Sequence, residues 1–239
     1  MDTLDIYAIP GIREPVSSFT HLLAIPVFVV LGWFLVRRAG NCWTGRISLL
    51  VLVATSVFLL AMSGVYHLLA FGHAKDLMLH LDVAAVFTLI AGTYTPVHTI
   101  LFRGLNRWLP LLLVWAAAIT GITLRTALGT GFPPAVGTVL FLILGWCGLL
   151  SCTILWRRYG YRFVEPLIWG GIAYSIGALI VMFHWPNVVP GIIGAHELWH
   201  VAVLIGLGLH WRFVFQFASA ACCQTSLDDW QPHPNLRKI

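Results

Sequence analysis

Charge is what this chain has least of. Of its 239 residues only 10% are Asp, Glu, Lys or Arg, while 59% are hydrophobic. A soluble domain carries about 25% charged and about 45–50% apolar residues. So little charge cannot wet the surface of a soluble domain of this length, and so apolar a chain is not a disordered one. Other absences narrow the field. The net charge of +5 is scattered through short loops, with no basic patch or arm for nucleic acid. The five cysteines (Cys42, Cys147, Cys152, Cys222, Cys223) show no CxxC metal spacing, so they are expected as packing residues or free thiols. The apolar runs do not alternate as barrel strands would. Residues 1–18 carry Asp2, Asp5, Arg13 and Glu14 rather than a basic segment before a short apolar run, so no signal-peptide cleavage is expected.

What is there is a series of long apolar runs. Hydropathy predicts seven spans, near 19–36, 47–71, 79–102, 108–124, 135–156, 163–183 and 195–217. Charged or Gly/Pro-containing breaks such as Arg37-Arg38-Ala39-Gly40-Asn41 separate them. The expected fold is an all-α integral membrane bundle. A short N-terminal segment (1–18) precedes the transmembrane domain (19–217), and a polar tail (218–239) follows it. Seven spans put the termini on opposite faces. Arg13, Lys75 and Arg125 fall on the N-terminal face and the other 11 of the 14 basic residues on the far one. The positive-inside rule then predicts a cell-membrane protein with its C-terminus in the cytoplasm and its N-terminus outside. Trp33, Trp43, Trp108, Trp156 and Trp211, near the span boundaries, read as interface anchors.

Ionisable groups at membrane depth are costly and point to function. The nine acids reduce to Glu14 at the mouth of span one, Asp82 in span three and Glu197 in span seven. His67 ends span two, Asp82 opens span three, and His196 and His200 open span seven, so topology gathers all four near the N-terminal face. His196 and His200 are i,i+4, one turn apart on one helix face, the spacing with which two imidazoles bind one metal. Ser63 stands one turn deeper than His67. Three imidazoles and a water make a catalytic zinc site, with Asp82 holding or deprotonating the water. Direct ligation by Asp82 would instead make an iron-type triad. Glu14, Ser17, Ser18 and His21 form a polar stripe if the first helix begins near Pro15. The stripe reads either as support or a gate for the site or as helix capping and helix–helix hydrogen bonding. Glu197 is either an acid supporting the site or a helix-start charge. His80 lies about 200° around the helix from Asp82 and is expected to point elsewhere. No role is read for His73, His98, His184 or His210.

The motifs Glu14-Pro-Val-Ser-Ser-Phe-Thr-His21, Ser63-Gly-Val-Tyr-His67, Leu81-Asp82 with Ala91-Gly-Thr-Tyr-Thr-Pro96, and His196-Glu-Leu-Trp-His200 follow one another across most of the chain. In this order they resemble the progestin and adipoQ receptor family, and its bacterial branch, hemolysin III, most of all. The resemblance implies a seven-helix bundle with zinc on His67, His196 and His200. It makes Asp82 the match of the aspartate beside the metal's water. Two departures stand out. Val83 follows Asp82 where bacterial members often have histidine, and adiponectin receptors are described with a cytosolic N-terminus, opposite to the charge distribution here. The resemblance extends in motif and chemistry to alkaline ceramidases. It implies a zinc-dependent intramembrane hydrolase of a lipid amide or ester, with Asp82 as general base and Ser63 as a hydrogen-bond donor. Two readings compete with this one: a sensor or receptor of membrane state with structural zinc, and a cytolytic protein. The expected partners are the bilayer and a lipid substrate or ligand, and no nucleic acid.

Overall fold

A computed structural model describes residues 14–129 and 133–222. Its helices are α1 (Pro15–Arg37), α2 (Trp43–Leu68), α3 (His73–Leu101), α4 (Leu105–Leu128), α5 (Pro134–Trp146), α6 (Leu149–Tyr159), α7 (Tyr161–Phe183) and α8 (Ala195–Phe217), with a closing 3-10 turn, Ala218–Cys222. Seven helical segments are long and apolar enough to cross a membrane, the fifth being α5 and α6 together, Ala135–Tyr159. Among the described residues there is no strand, only an isolated bridge between Val189 and Ile193. The expected all-α seven-span bundle is what the chain forms. The tail beyond Cys222 lies outside the described residues.

The helices begin earlier than hydropathy alone suggests. Proline suits the first helical turn, where its missing N–H costs nothing, and α1 starts at Pro15, about a turn before residue 19. Likewise α3 starts at His73 rather than near residue 79. The extra turns are polar, which lowers any hydropathy average, yet Ser17, Ser18 and Lys75 are all buried. The bundle supplies partners that lipid would not. Small residues let the helices close on one another: a methyl group at Gly92 of α3 would meet the Thr55 hydroxyl of α2 at 2.1 Å.

One tryptophan departs from the expected pattern. Trp33, Trp43, Trp108 and Trp156 are exposed, as interface anchors should be, but Trp211 is a core residue at 1% exposure. Its indole donates to Ser56 Oγ at 3.0 Å and packs edge-on against Phe28. A buried indole needs such an acceptor, and Ser56 provides it.

The fifth span also differs from the unbroken run expected over 135–156. It is interrupted at Cys147 and Gly148. The Gly148 N–H bonds the Gly145 carbonyl instead of continuing the α-helical pattern, and the Leu144 carbonyl accepts the Tyr94 hydroxyl of α3 at 3.0 Å. A side chain from a neighbouring helix therefore caps the end of α5 in the middle of the span.

Candidate metal centre

Three helices deliver the site. His67 ends α2, His196 and His200 sit one turn apart at the start of α8, and Asp82 lies in the third turn of α3. His67, His196 and His200 form a group whose ligand atoms lie within 4.8 Å of one another and could hold a metal ion. His67 and His200 are buried and His196 is half-buried. The His196 Nε2 is 3.3 Å from that of His67 and 3.1 Å from that of His200. Nitrogens about 2.0–2.1 Å from a tetrahedral ion stand about 3.3 Å apart, which these two distances match.

The other ring nitrogens decide what those atoms can do. The Nδ1–H of His67 donates to Glu14 Oε2 at 2.5 Å, and the Glu14 backbone N–H donates to the His67 carbonyl at 3.2 Å. Burial works against the charge on Glu14, but the His67 hydrogen bond and the nearby Lys75 outweigh it and hold its carboxyl below the usual carboxylate range. The Lys75 ammonium lies 3.3 Å from Glu14 Oε1. The Nδ1 of His200 is 3.1 Å from the His21 ring nitrogen, and the two rings lie 4.3 Å apart. With its Nδ1–H on the Glu14 carboxylate, His67 carries a bare lone pair on Nε2, and so does His200 in the tautomer whose Nδ1–H donates to His21. One N–H on His196 could satisfy only one of them. A cation would satisfy all three, and the hydrogen-bonded partners behind the rings are those that orient metal-binding histidines.

The remaining candidates fall around this centre. Asp82 is outside the three-histidine group; it and Ser63 line the same cavity as His67, His196 and His200. Ser18 turns to α2, donating to the Gly64 carbonyl at 2.9 Å. Its neighbour Ser17 donates to Glu197 Oε1 at 2.9 Å, while Glu197 Oε2 accepts the Gly194 N–H and caps its own helix. Glu197 thus starts α8 and fastens it to α1. His80 bonds the Asp76 carbonyl of its own helix. Lys75 is the member that sequence reasoning missed. It lies seven residues before Asp82, within about 20° of the same helix face, a signal available once α3 is extended to His73. Cys42, Cys147 and Cys152 form no disulfide among the described residues, and Cys42 Sγ accepts the Gly45 N–H at the start of α2.

The cavity runs inward from the histidines. Asp82, Val86, Thr93, Val97 and His98 of α3 contribute to its wall, with Phe141 and Leu142 of α5 and Leu155 of α6 opposite. From Asp82 to His98 the wall is about 24 Å long at 1.5 Å per residue, most of the hydrocarbon thickness of a bilayer.

Seven apolar spans, a buried histidine cluster able to hold a metal, and an elongated cavity leading from it define a multi-pass membrane protein with an intramembrane site. A family model described as Haemolysin-III related matches residues 11–211. The chain belongs to this family, the hemolysin III branch of the progestin and adipoQ receptors. It is 29% identical to Hemolysin-3 of Bacillus cereus over 199 residues, covering 81% of this chain and 86% of that one. It is 28% identical to the Hemolysin-3 homolog of Bacillus subtilis (strain 168) over 198 residues, covering 81% and 89%.

Proposed function

We propose that the protein is a zinc-dependent intramembrane hydrolase of a lipid amide or ester. The observation that carries this reading is the pairing of two unlike groups on one cavity wall: three histidines with converging Nε2 atoms, and beside them a carboxylate that is not among the ligands. Three histidines with an open fourth position are a zinc arrangement, and an aspartate that stands outside the histidine group supports this over an iron-type triad. Bound zinc would polarise the scissile carbonyl and acidify a water.

This chain's own residues supply the rest. Asp82 takes the proton from the attacking water and returns it to the leaving amine or alkoxide. The Ser63 hydroxyl, on the same cavity wall, donates a hydrogen bond to the developing oxyanion. Glu14 and His21 keep the Nε2 atoms of His67 and His200 aimed at the metal. The apolar wall takes the acyl chain and keeps bulk water away from the reacting carbonyl. The distribution of basic residues favours an outward N-terminus in the cell membrane, with the histidine centre in the outer half.

The test is metal analysis combined with single-turnover hydrolysis of lipid amides and esters by the parent and by Asp82→Ala. Stoichiometric zinc in both, with product from the parent alone, is the expected result. Zinc with no product from either would replace the hydrolase by a sensor with structural zinc. The names of the Bacillus relatives suggest cytolysis, but a lytic conduit needs a continuous polar path, and the middle of this cavity is apolar.

A further inference from the structure

The cavity has a second polar end. His98, three residues from the end of α3, is 1% exposed. Its Nδ1–H donates to the Asn106 carbonyl at 3.0 Å, which leaves Nε2 as an acceptor, and Ser151 Oγ lies 3.1 Å from it. The Ser151 hydroxyl therefore spends its proton on His98 and keeps its oxygen lone pairs. In the same half of the bundle, His210 of α8 donates from Nε2 to the Leu167 carbonyl at 3.3 Å, which leaves its Nδ1 as an acceptor. All three side chains line the cavity. This end thus presents acceptors to whatever enters. Acceptors in an apolar enclosure call for a donor. A cationic donor is ill suited, because among the described residues the only carboxylate lining the cavity is Asp82, at the opposite end.

We propose that this end is a distal recognition site for a neutral hydroxyl on the far part of a long acyl chain, read by the oxygen of Ser151. The ligand class is a hydroxylated long-chain lipid, its head at the histidines and its hydroxyl about 24 Å away along α3. The inference rests on the reading of the cavity as an acyl-chain site.

Binding of palmitate and of ω-hydroxypalmitate to the purified, metal-replete protein in detergent tests it. The parent should bind the ω-hydroxy chain about fivefold more tightly, as expected for one hydrogen bond worth about 1 kcal/mol. Moving the hydroxyl to mid-chain should forfeit the gain. Ser151→Ala should bind both chains as the parent binds palmitate, with zinc content unchanged as the check that it folds. Equal binding of the two chains by the parent, which needs no variant, would overturn the distal site and leave the cavity as a lipid site. A preference that survives in Ser151→Ala would overturn the assignment to Ser151. Binding of neither chain would overturn both this inference and the acyl-chain reading beneath it.

Discussion

The two ends of the cavity both hold buried histidines, yet they are built for different tasks. At one end the Nδ1 atoms of His67 and His200 are engaged by side chains behind them, Glu14 and His21. Three Nε2 atoms are left to face one another. At the other end His98 and His210 are each tied to a backbone carbonyl, and the free nitrogen of His98 meets a hydroxyl instead of a second imidazole. Histidine content does not make a metal site. What distinguishes the ends is how many bare lone pairs share one point, and that depends on the groups behind the rings.

Replacing His196 with Ala should break this comparison most sharply. Removal of one of three ligands should abolish stoichiometric zinc, a loss of more than about a hundredfold in affinity, whereas His98→Phe should leave zinc content unchanged. Full zinc retention by His196→Ala, measured by elemental analysis after dialysis, would remove His196 from the ligand set. Glu14→Gln comes next. Loss of the carboxylate behind His67 should weaken zinc binding by about 10–100-fold while saturating zinc still fills the site; a chelator-competition titration reads the difference. The smallest effect belongs to the distal half. Tyr94→Phe removes the cap on the Leu144 carbonyl and should cost about 0.6 kcal/mol in detergent unfolding, the average for a hydrogen bond within a membrane protein. Zinc affinity should not move.

The seven spans were legible because hydropathy integrates over some twenty residues and tolerates local irregularity. The His196–His200 pair and Asp82 were legible because helix spacing and topology are sufficient to bring them together. Trp211 was not, because an aromatic residue near a span end has the same sequence signature whether it faces lipid or Ser56. The interruption at Gly148 was hidden for a related reason: its cause is Tyr94, some fifty residues away. Lys75 was assigned to a loop because its charge shortened the predicted span, although Glu14 neutralises it in the bundle. His98 sits about 160° around an ideal helix from Asp82, so no single-face argument joins it to the site; it reaches the cavity only because the wall is broad.

Glu197 deserves a last consequence, because its two oxygens hold Gly194 of its own helix start and Ser17 of the first helix. The three-histidine group draws one member from the second span and two from the last. During synthesis His67 waits through five further spans before its partners exist, and a chain released early carries only a third of the set. On the zinc reading, capture of the ion would therefore be the last act of assembly. It would mark a finished molecule and set it apart from any truncated product that has already entered the bilayer.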